Sequence, residues 1–222
     1  MKRFALTAGV LIATGIVLWW FPPFRIVSLD ERQSAQQAAK FNAAEFVEDF
    51  WSTKLLPSLE HAPAAVDVLA AIRDDPQQAR ERFGRSVGLG GPALYVFRGR
   101  GTIVSVEKNT IGVSLADGVE ATEGATRPDL LLKTGLIFGN TVRDATGLIK
   151  PSDFARSQQF NDISTELNRV VESRVISLLK EQAQIGRSIE FTGCAQVPNG
   201  RAAEMPLEVI PLEVKIEPQS AE

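Results

Sequence analysis

The residues best suited to chemistry lie in one polar stretch, FGNTVRDATGLIKPSDF, at residues 138–154. Asn140, Arg143, Asp144 and Asp153 supply an amide, a guanidinium and two carboxylates. Two carboxylates could serve a hydrolase as general acid and base, and Arg143 could bind an anionic group. The same residue types also turn the chain, because their side chains hydrogen-bond to nearby backbone.

We favour the structural interpretation, with a ligand or partner surface as the alternative. Asp144 is expected to accept backbone amides in a turn, and Arg143 to bind a loop carbonyl or a carboxylate. Asn140 follows a glycine and could adopt a left-handed conformation. A buried Arg143 would then depend on the Asp144 carboxylate for its charge balance.

Other catalytic or cofactor-binding patterns are missing from the sequence. There is no G-x-S-x-G elbow, no H-E-x-x-H and no Walker loop. Cys194 and His61 are the only cysteine and histidine, which is poor material for a metal site. We read Cys194 as a buried apolar residue, His61 as a solvated residue at a helix end, and Asp74-Asp75 as a helix cap. No catalytic residue, metal ligand or cofactor is predicted, and we expect a non-enzymatic protein.

Composition limits the class of protein. The 222 residues are 44% hydrophobic and 23% charged, which suits one globular domain with an appendage. The net charge is −3, and no run of basic residues occurs. A nucleic-acid ligand is therefore not expected, because phosphate binding needs a surplus of Lys and Arg.

The N-terminal segment, residues 1–29, predicts export. Residues 4–21 form an uncharged run of 18 residues, just long enough for a helix to span a bilayer. Lys2 and Arg3 precede it, so the positive-inside rule places the rest of the chain outside the cytoplasm. We favour an uncleaved single-pass anchor in the cytoplasmic membrane, with the bulk of the chain in a bacterial periplasm. A cleavable signal peptide is the alternative, although Ile26-Val27-Ser28 matches a cleavage site poorly.

The exported part divides by periodicity. Residues 30–88 follow a helical pattern, with a break expected near Leu55 or Leu56 and a helix opened by Pro63. Residues 89–217 alternate apolar and polar positions in short strands, interrupted by one helix at about 162–184. That helix should begin at Asp162 or Ser164 and end at Gly186. Residues 218–222 form a frayed tail. The buried stripe of the helix is expected at Ile163, Leu167, Val170, Val171, Leu178 and Leu179.

This order predicts an α+β protein. Three strands or strand pairs, one helix and two final strands match a small OB-like open β-barrel with Greek-key connections, in which the helix lies between strands 3 and 4. The alternative is an open sheet with the same helix packed on one face.

Three stretches resemble one bacterial family. They are FVEDFWSTKLLP, FRGRGTIVSVE and GNTVRDATGLIKPSDFARSQQFNDISTELN. Together they resemble domain of unknown function 2291, a family of predicted periplasmic lipoproteins, over about residues 40–216. Members are often encoded beside sugar ABC-transporter genes, which implies an accessory role. The resemblance singles out as ligand- or partner-binding candidates Trp51, Lys54, Asn140, Arg143, Asp144, Asp153, Gln159 and Asn168.

The sequence departs from that family in lacking a cysteine after the apolar run, so the residue 4–21 helix would serve as the tether. The favoured function is a membrane-anchored periplasmic binding or accessory protein, with transporter components or a carbohydrate as partners. Two alternatives remain: an envelope hydrolase using Asp144 and Asp153, and a structural envelope protein that self-associates. The oligomeric state is left open.

Overall fold

The first described part of the chain is helical. The structure, a computed structural model, describes residues 41–86, 88, 90–115, 127–199 and 203–217. Helix α1 (Ala43–Phe50) runs through a π-helical turn, π1 (Trp51–Leu55), into α2 (Leu56–Leu59). Helices α3 (Ala65–Asp74) and α4 (Pro76–Phe83) follow. The predicted membrane segment, residues 1–29, and the predicted tail lie outside the described residues.

Local chemistry sets these helix boundaries. The Asn42 side chain caps α1 by accepting the N–H groups of Ala44 and Glu45. Asp75 caps α4 in the same way, as the sequence predicted. The expected break near Leu55 or Leu56 is not a break: the backbone stays helical there, and a π turn passes into α2 at Leu56, just before Pro57.

Pro63 does not open a helix, so that prediction is wrong. Its carbonyl accepts the Arg98 N–H at 2.9 Å, and Ala64 forms a parallel bridge to Arg98. These contacts hold residues 63–64 extended, so α3 cannot begin before Ala65.

Five strands close into a barrel. After the short β1 (Arg85–Ser86) come β2 (Ala93–Val106), β3 (Thr110–Ser114), β4 (Leu130–Lys133), β5 (Ser188–Val197) and β6 (Leu207–Ile216). The ring order is β2-β3-β4-β6-β5, and β5 pairs back with β2. Only the β4–β6 pairing is parallel among the described strands. The OB-like prediction is confirmed, with the difference that the sheet is closed rather than open.

The chain between β4 and β5 carries the remaining helices. They are α5 (Thr141–Ala145), a 3₁₀ turn (Pro151–Asp153), α6 (Ser157–Val170), a second π turn, π2 (Val171–Ile176), and α7 (Ser177–Gln182). This confirms a helix between the third and fourth barrel strands. Its predicted start is wrong, because the Gln159 side chain accepts the Arg156 N–H at 3.2 Å and starts the helix earlier. The helix also ends before Gly186, which forms a turn at φ +88°.

Strand alternation divides the apolar residues between two cores. Along β5, Ile189, Phe191, Ala195 and Val197 point into the barrel, where they join residues of α3, α4 and α7. Cys194 alternates with them and lies on the outer face, where α5 contacts β5 and π2 contacts β6. The barrel interior and this outer layer are thus separate apolar cores.

The buried stripe of the long helix differs from the prediction at three positions, because Val175 and Ile176 are buried although they were not predicted, and Leu178 is not buried. Ile163, Leu167 and Leu179 are fully buried, whereas Leu178 is only half-buried. The π turn explains the error, because its wider turn shifts the phase of all later residues relative to a regular 3.6-residue repeat. Leu179, not Leu178, therefore reaches the barrel core.

None of the helices in the described ranges is both long and apolar enough to cross a bilayer. The helices and the barrel belong to one compact unit, Asn42–Glu222.

Candidate functional site

The predicted Arg143–Asp144 pair lies on α5 and is buried. Arg143 Nε donates to Asp144 Oδ1 at 2.7 Å, and Nη2 donates to Oδ2 at 3.1 Å. The side chains are only 5% and 13% exposed, respectively. This bidentate geometry uses both carboxylate oxygens of Asp144 and two nitrogens of the guanidinium.

Helix α6 supplies a third hydrogen bond and a stacking partner for the guanidinium. Arg143 Nη1 donates to the Phe160 carbonyl at 3.1 Å, and the guanidinium carbon lies 3.5 Å from the centre of the Phe160 ring. A cation stacked on an aromatic face within this distance is stabilised by the ring quadrupole. Arg143 therefore joins α5 to α6. The sequence predicted a carbonyl or a carboxylate as its partner, and Arg143 binds one of each.

Three details of the predicted turn are wrong. The segment forms a short helix rather than a turn, and Asp144 accepts the guanidinium instead of backbone amides. Asn140 has φ −113°, whereas its neighbour Gly139 takes the left-handed conformation at φ +83°. Glycine has no Cβ penalty there, so Gly139 and not Asn140 takes the left-handed conformation before α5.

Three other candidates act on backbone close to α5 and α6. Asn168, which is buried, donates to the Gly139 carbonyl at 3.0 Å. Asp153 accepts the Lys150 N–H at 3.1 Å, and the buried Gln159 side chain caps the start of α6. The structure therefore brings Arg143, Asp144 and Asn168 to the α5–α6 contact.

Trp51 and Lys54 both lie on π1. Trp51 is 4% exposed and Lys54 is exposed, so only Lys54 of this pair is accessible to a partner. The hydrolase alternative would need Asp144 and Asp153 in one cleft. Neither carboxylate lines either of the two clefts described next.

The larger cleft opens over the outer face of β2, β5 and β6 and holds about 530 Å³. Its floor consists of two rows of side chains that cross the three strands. Arg98 pairs in register with Thr192, which pairs with Glu213; Arg100 pairs with Glu190, which pairs with Lys215. Leu59, Glu60 and Ala64 form a wall. We call this site the strand cleft.

Charges in the strand cleft are balanced and incompletely paired. Arg100 binds Glu217 at 2.7 Å and approaches Glu190 at 3.9 Å. Arg98 donates to the Glu60 carbonyl at 3.3 Å. Within the described part of the chain, the exposed side chains of Glu213 and Lys215 have neither a hydrogen bond nor an ion pair. The floor therefore keeps donors and acceptors available to a ligand.

The second cleft holds about 370 Å³ and lies on the other side of the residue 58–64 segment. His61 and Arg85 are its exposed ionisable residues. No group of three His, Cys, Asp or Glu side chains in the described ranges is close enough to hold a metal ion.

Sequence reasoning missed the strand cleft. The sequence did carry a signal, because five charged residues occupy outward positions in strands whose side chains alternate between the two faces. They are Arg98, Arg100, Glu190, Glu213 and Lys215. What was missing was the register that places those positions side by side. Residues nearly a hundred positions apart in sequence, such as Arg98 and Thr192, become neighbours only when the barrel closes.

Burial shifts the pKa of two side chains in the cores. It raises the pKa of the Cys194 thiol to about 12. It also raises the pKa of Tyr95, against a smaller opposite influence of Arg80. Cys194 is fully buried and protonated at neutral pH, as expected of a small apolar core residue.

A known protein family matches nearly the whole chain. The family described as predicted periplasmic lipoprotein (DUF2291) matches residues 13–215. The chain belongs to this family. The match covers the described helices and all but the last residue of the barrel of this DUF2291 protein, so the resemblance seen in the sequence is confirmed.

A solved structure supports the fold. An OB-fold protein of Thermotoga maritima is 27% identical, with a TM-score of 0.69, and the match covers 80% of this chain and 99% of that one. No curated protein matches the DUF2291 chain significantly.

Proposed function

We propose that this DUF2291 protein is a non-enzymatic binding or accessory module, anchored to the membrane and facing the periplasm. The strand cleft is the observation that supports a binding role. It is a concave site of about 530 Å³, within the range of small-molecule pockets, with side-chain donors and acceptors on one floor. The barrel backbone beneath it is closed and hydrogen-bonded, so the floor is rigid before a ligand arrives.

The chemistry of the floor favours a neutral ligand rich in hydroxyl groups, such as a carbohydrate. Arg98, Arg100 and Lys215 are donors, and the Glu60, Glu190 and Glu213 carboxylates are acceptors, so the formal charges cancel. A hydroxyl group both donates and accepts, so it can bond to neighbouring members of both sets. An anionic or cationic ligand would meet as many repulsive as attractive charges.

Calorimetric titration with a panel of neutral mono- and disaccharides tests this proposal. Glu213→Ala and Lys215→Ala should each weaken binding by about tenfold or more, because a hydrogen bond to a charged group contributes about 1.5–3 kcal/mol. Neither side chain has a partner within the described residues, so the fold should survive. Lys180→Ala, at an exposed lysine on α7 that lines neither cleft, is the matched control. Unchanged affinity in both cleft variants, or no binding by any sugar, would refute the carbohydrate assignment.

The accessory role concerns partners. The family resemblance implies proximity to sugar ABC-transporter genes, and we propose that the protein associates with such a transporter or its solute-binding protein. Affinity purification of the tagged full-length chain from membranes should recover transporter subunits. Recovery of only further copies of this chain would favour the self-associating envelope protein instead.

A further inference from the structure

Two apolar side chains protrude from the loop between β4 and α5. Phe138 is 77% exposed and Leu136 is 68% exposed, the highest values among the large apolar residues of the described ranges. Ile137 between them is 5% exposed and anchors the loop in the core. Exposing two large apolar groups is unfavourable in water, so this pair needs an explanation in a way that a single exposed leucine does not.

The loop is fixed at both ends rather than loosely placed. The N–H groups of Thr134 and Gly135 donate to the Asn109 carbonyl at 2.7 and 3.2 Å. Further along, the Ile137 N–H donates to Glu172 Oε1 at 2.7 Å. Asn168 holds the Gly139 carbonyl, as described above. The hydrogen bonds and the buried Ile137 side chain therefore hold Leu136 and Phe138 outward.

We infer that Leu136 and Phe138 insert into the bilayer surface. The inference rests on the membrane attachment in the proposed function. Residues 22–40, between the apolar run and the first described residues, reach at most about 65 Å when fully extended, so the domain stays within that distance of the bilayer. A tether of this kind raises the effective concentration of the loop at the bilayer surface, so insertion of two side chains is enough for contact.

The shape and charge of this end of the barrel suit a lipid surface. The protruding pair lines neither cleft, and a stable protein interface normally buries more than about 1,000 Å² with matched shapes. A fluid headgroup region needs no matched shape. Lys108, exposed on the β2–β3 turn beside Asn109, is available to a lipid phosphate, while Glu107 on the same turn balances its charge. The contact should therefore depend on apolar insertion more than on ionic strength.

An environment-sensitive fluorophore at the loop tests the inference. Leu136→Cys in the full-length chain can be labelled with NBD, because the native Cys194 is fully buried. After reconstitution into vesicles of phosphatidylethanolamine and phosphatidylglycerol, NBD emission should shift to the blue and increase in intensity. The same label at Val66→Cys, an exposed position on α3, is the matched control and should keep its water-like emission. Adding Phe138→Ser to the labelled Leu136→Cys chain should abolish most of the shift.

Each outcome separates one claim from another. Water-like emission at position 136 in a chain that sediments with the vesicles would overturn the loop contact and leave the attachment intact. A chain released from the vesicles would overturn the attachment itself. A shift that disappears when the protein is diluted at constant lipid would assign the pair to contacts between copies, and would also overturn the lipid contact.

Discussion

The α5–α6 contact and the strand cleft use the same chemical groups in opposite ways. At the first, Arg143 and Asp144 are 5% and 13% exposed and bind each other with two hydrogen bonds. In the second, Arg100 and Glu190 are 57% and 47% exposed and lie 3.9 Å apart. Buried charges that are paired with each other hold a fold together, whereas exposed charges with free bonding capacity can take a ligand. Residue type alone did not separate these roles; burial and partner count do.

The largest expected effect is at the α5–α6 contact. Asp144→Ala should lower the free energy of unfolding by roughly 3–5 kcal/mol, because it leaves the buried Arg143 guanidinium without its carboxylate. Urea denaturation monitored by circular dichroism measures this, with Glu190→Ala in the strand cleft as the control. If Asp144→Ala keeps its melting temperature but loses a partner or a cellular function, the structural interpretation is wrong and the stretch is the site.

The outer face of β5 offers a comparison within one strand, because Cys194 is covered while Glu190 is open. Burial raises the Cys194 pKa to about 12 from an ordinary value of 9.0, so the folded state keeps its thiol proton longer than the unfolded state. The stabilisation is complete below pH 9 and is lost as the pH rises toward 12, at about 1.4 kcal/mol per pH unit. Tyr95 should add a loss of the same sign.

The contribution of the thiol to stability can be measured by thermal unfolding of the wild type and of Cys194→Ala. The pKa values set the range at about pH 8 to about pH 11. The variant should lose less stability at the alkaline end than the wild type does. Parallel curves for the two proteins would show that the thiol is more accessible than its burial implies.

A smaller effect is expected at Asn168. Asn168→Ala removes the hydrogen bond to the Gly139 carbonyl, and should cost about 1–2 kcal/mol. Gly139 is exposed, so water can replace part of the lost bond. Asn168→Asp, which keeps the size but sets a carboxylate against the Gly139 carbonyl, should cost at least as much in urea denaturation. Wild-type stability in both variants would mean that the loop is held by its other contacts.

The smallest effect on stability is expected in the strand cleft. Glu190→Ala and Arg100→Ala should change the free energy of unfolding by less than about 1 kcal/mol, since exposed ion pairs contribute little. In both variants, the free energy of ligand binding should change by more than the free energy of unfolding does. A large loss of stability in these variants would erase the contrast with α5–α6, and would make the cleft charges structural.

Periodicity and strand order were readable from the sequence, and contacts between distant residues were not. The alternation from residue 93 onward and the single long helix were enough to predict an OB-like barrel, because each pattern is local. The π turns were not predictable, since they shift the helix phase without any change in residue type, and Leu178 was misplaced for that reason. A carboxylate or carbonyl partner for Arg143 was readable from the sequence, but its stacking on Phe160 depends on how α5 meets α6.

Closure of the barrel has a consequence for the order of events during biosynthesis. The last of the described strands, β6 (residues 207–216), is the one that joins β4 to β5. Synthesis delivers the described helices before β5 and the strands β2–β4 first, yet the ring cannot close until β6 has followed. Long-range pairings of this kind form late and leave strand edges exposed in the meantime. Chains of this protein should therefore need protection from aggregation until β6 arrives, and truncations that remove β6 should fail to fold rather than fold in part.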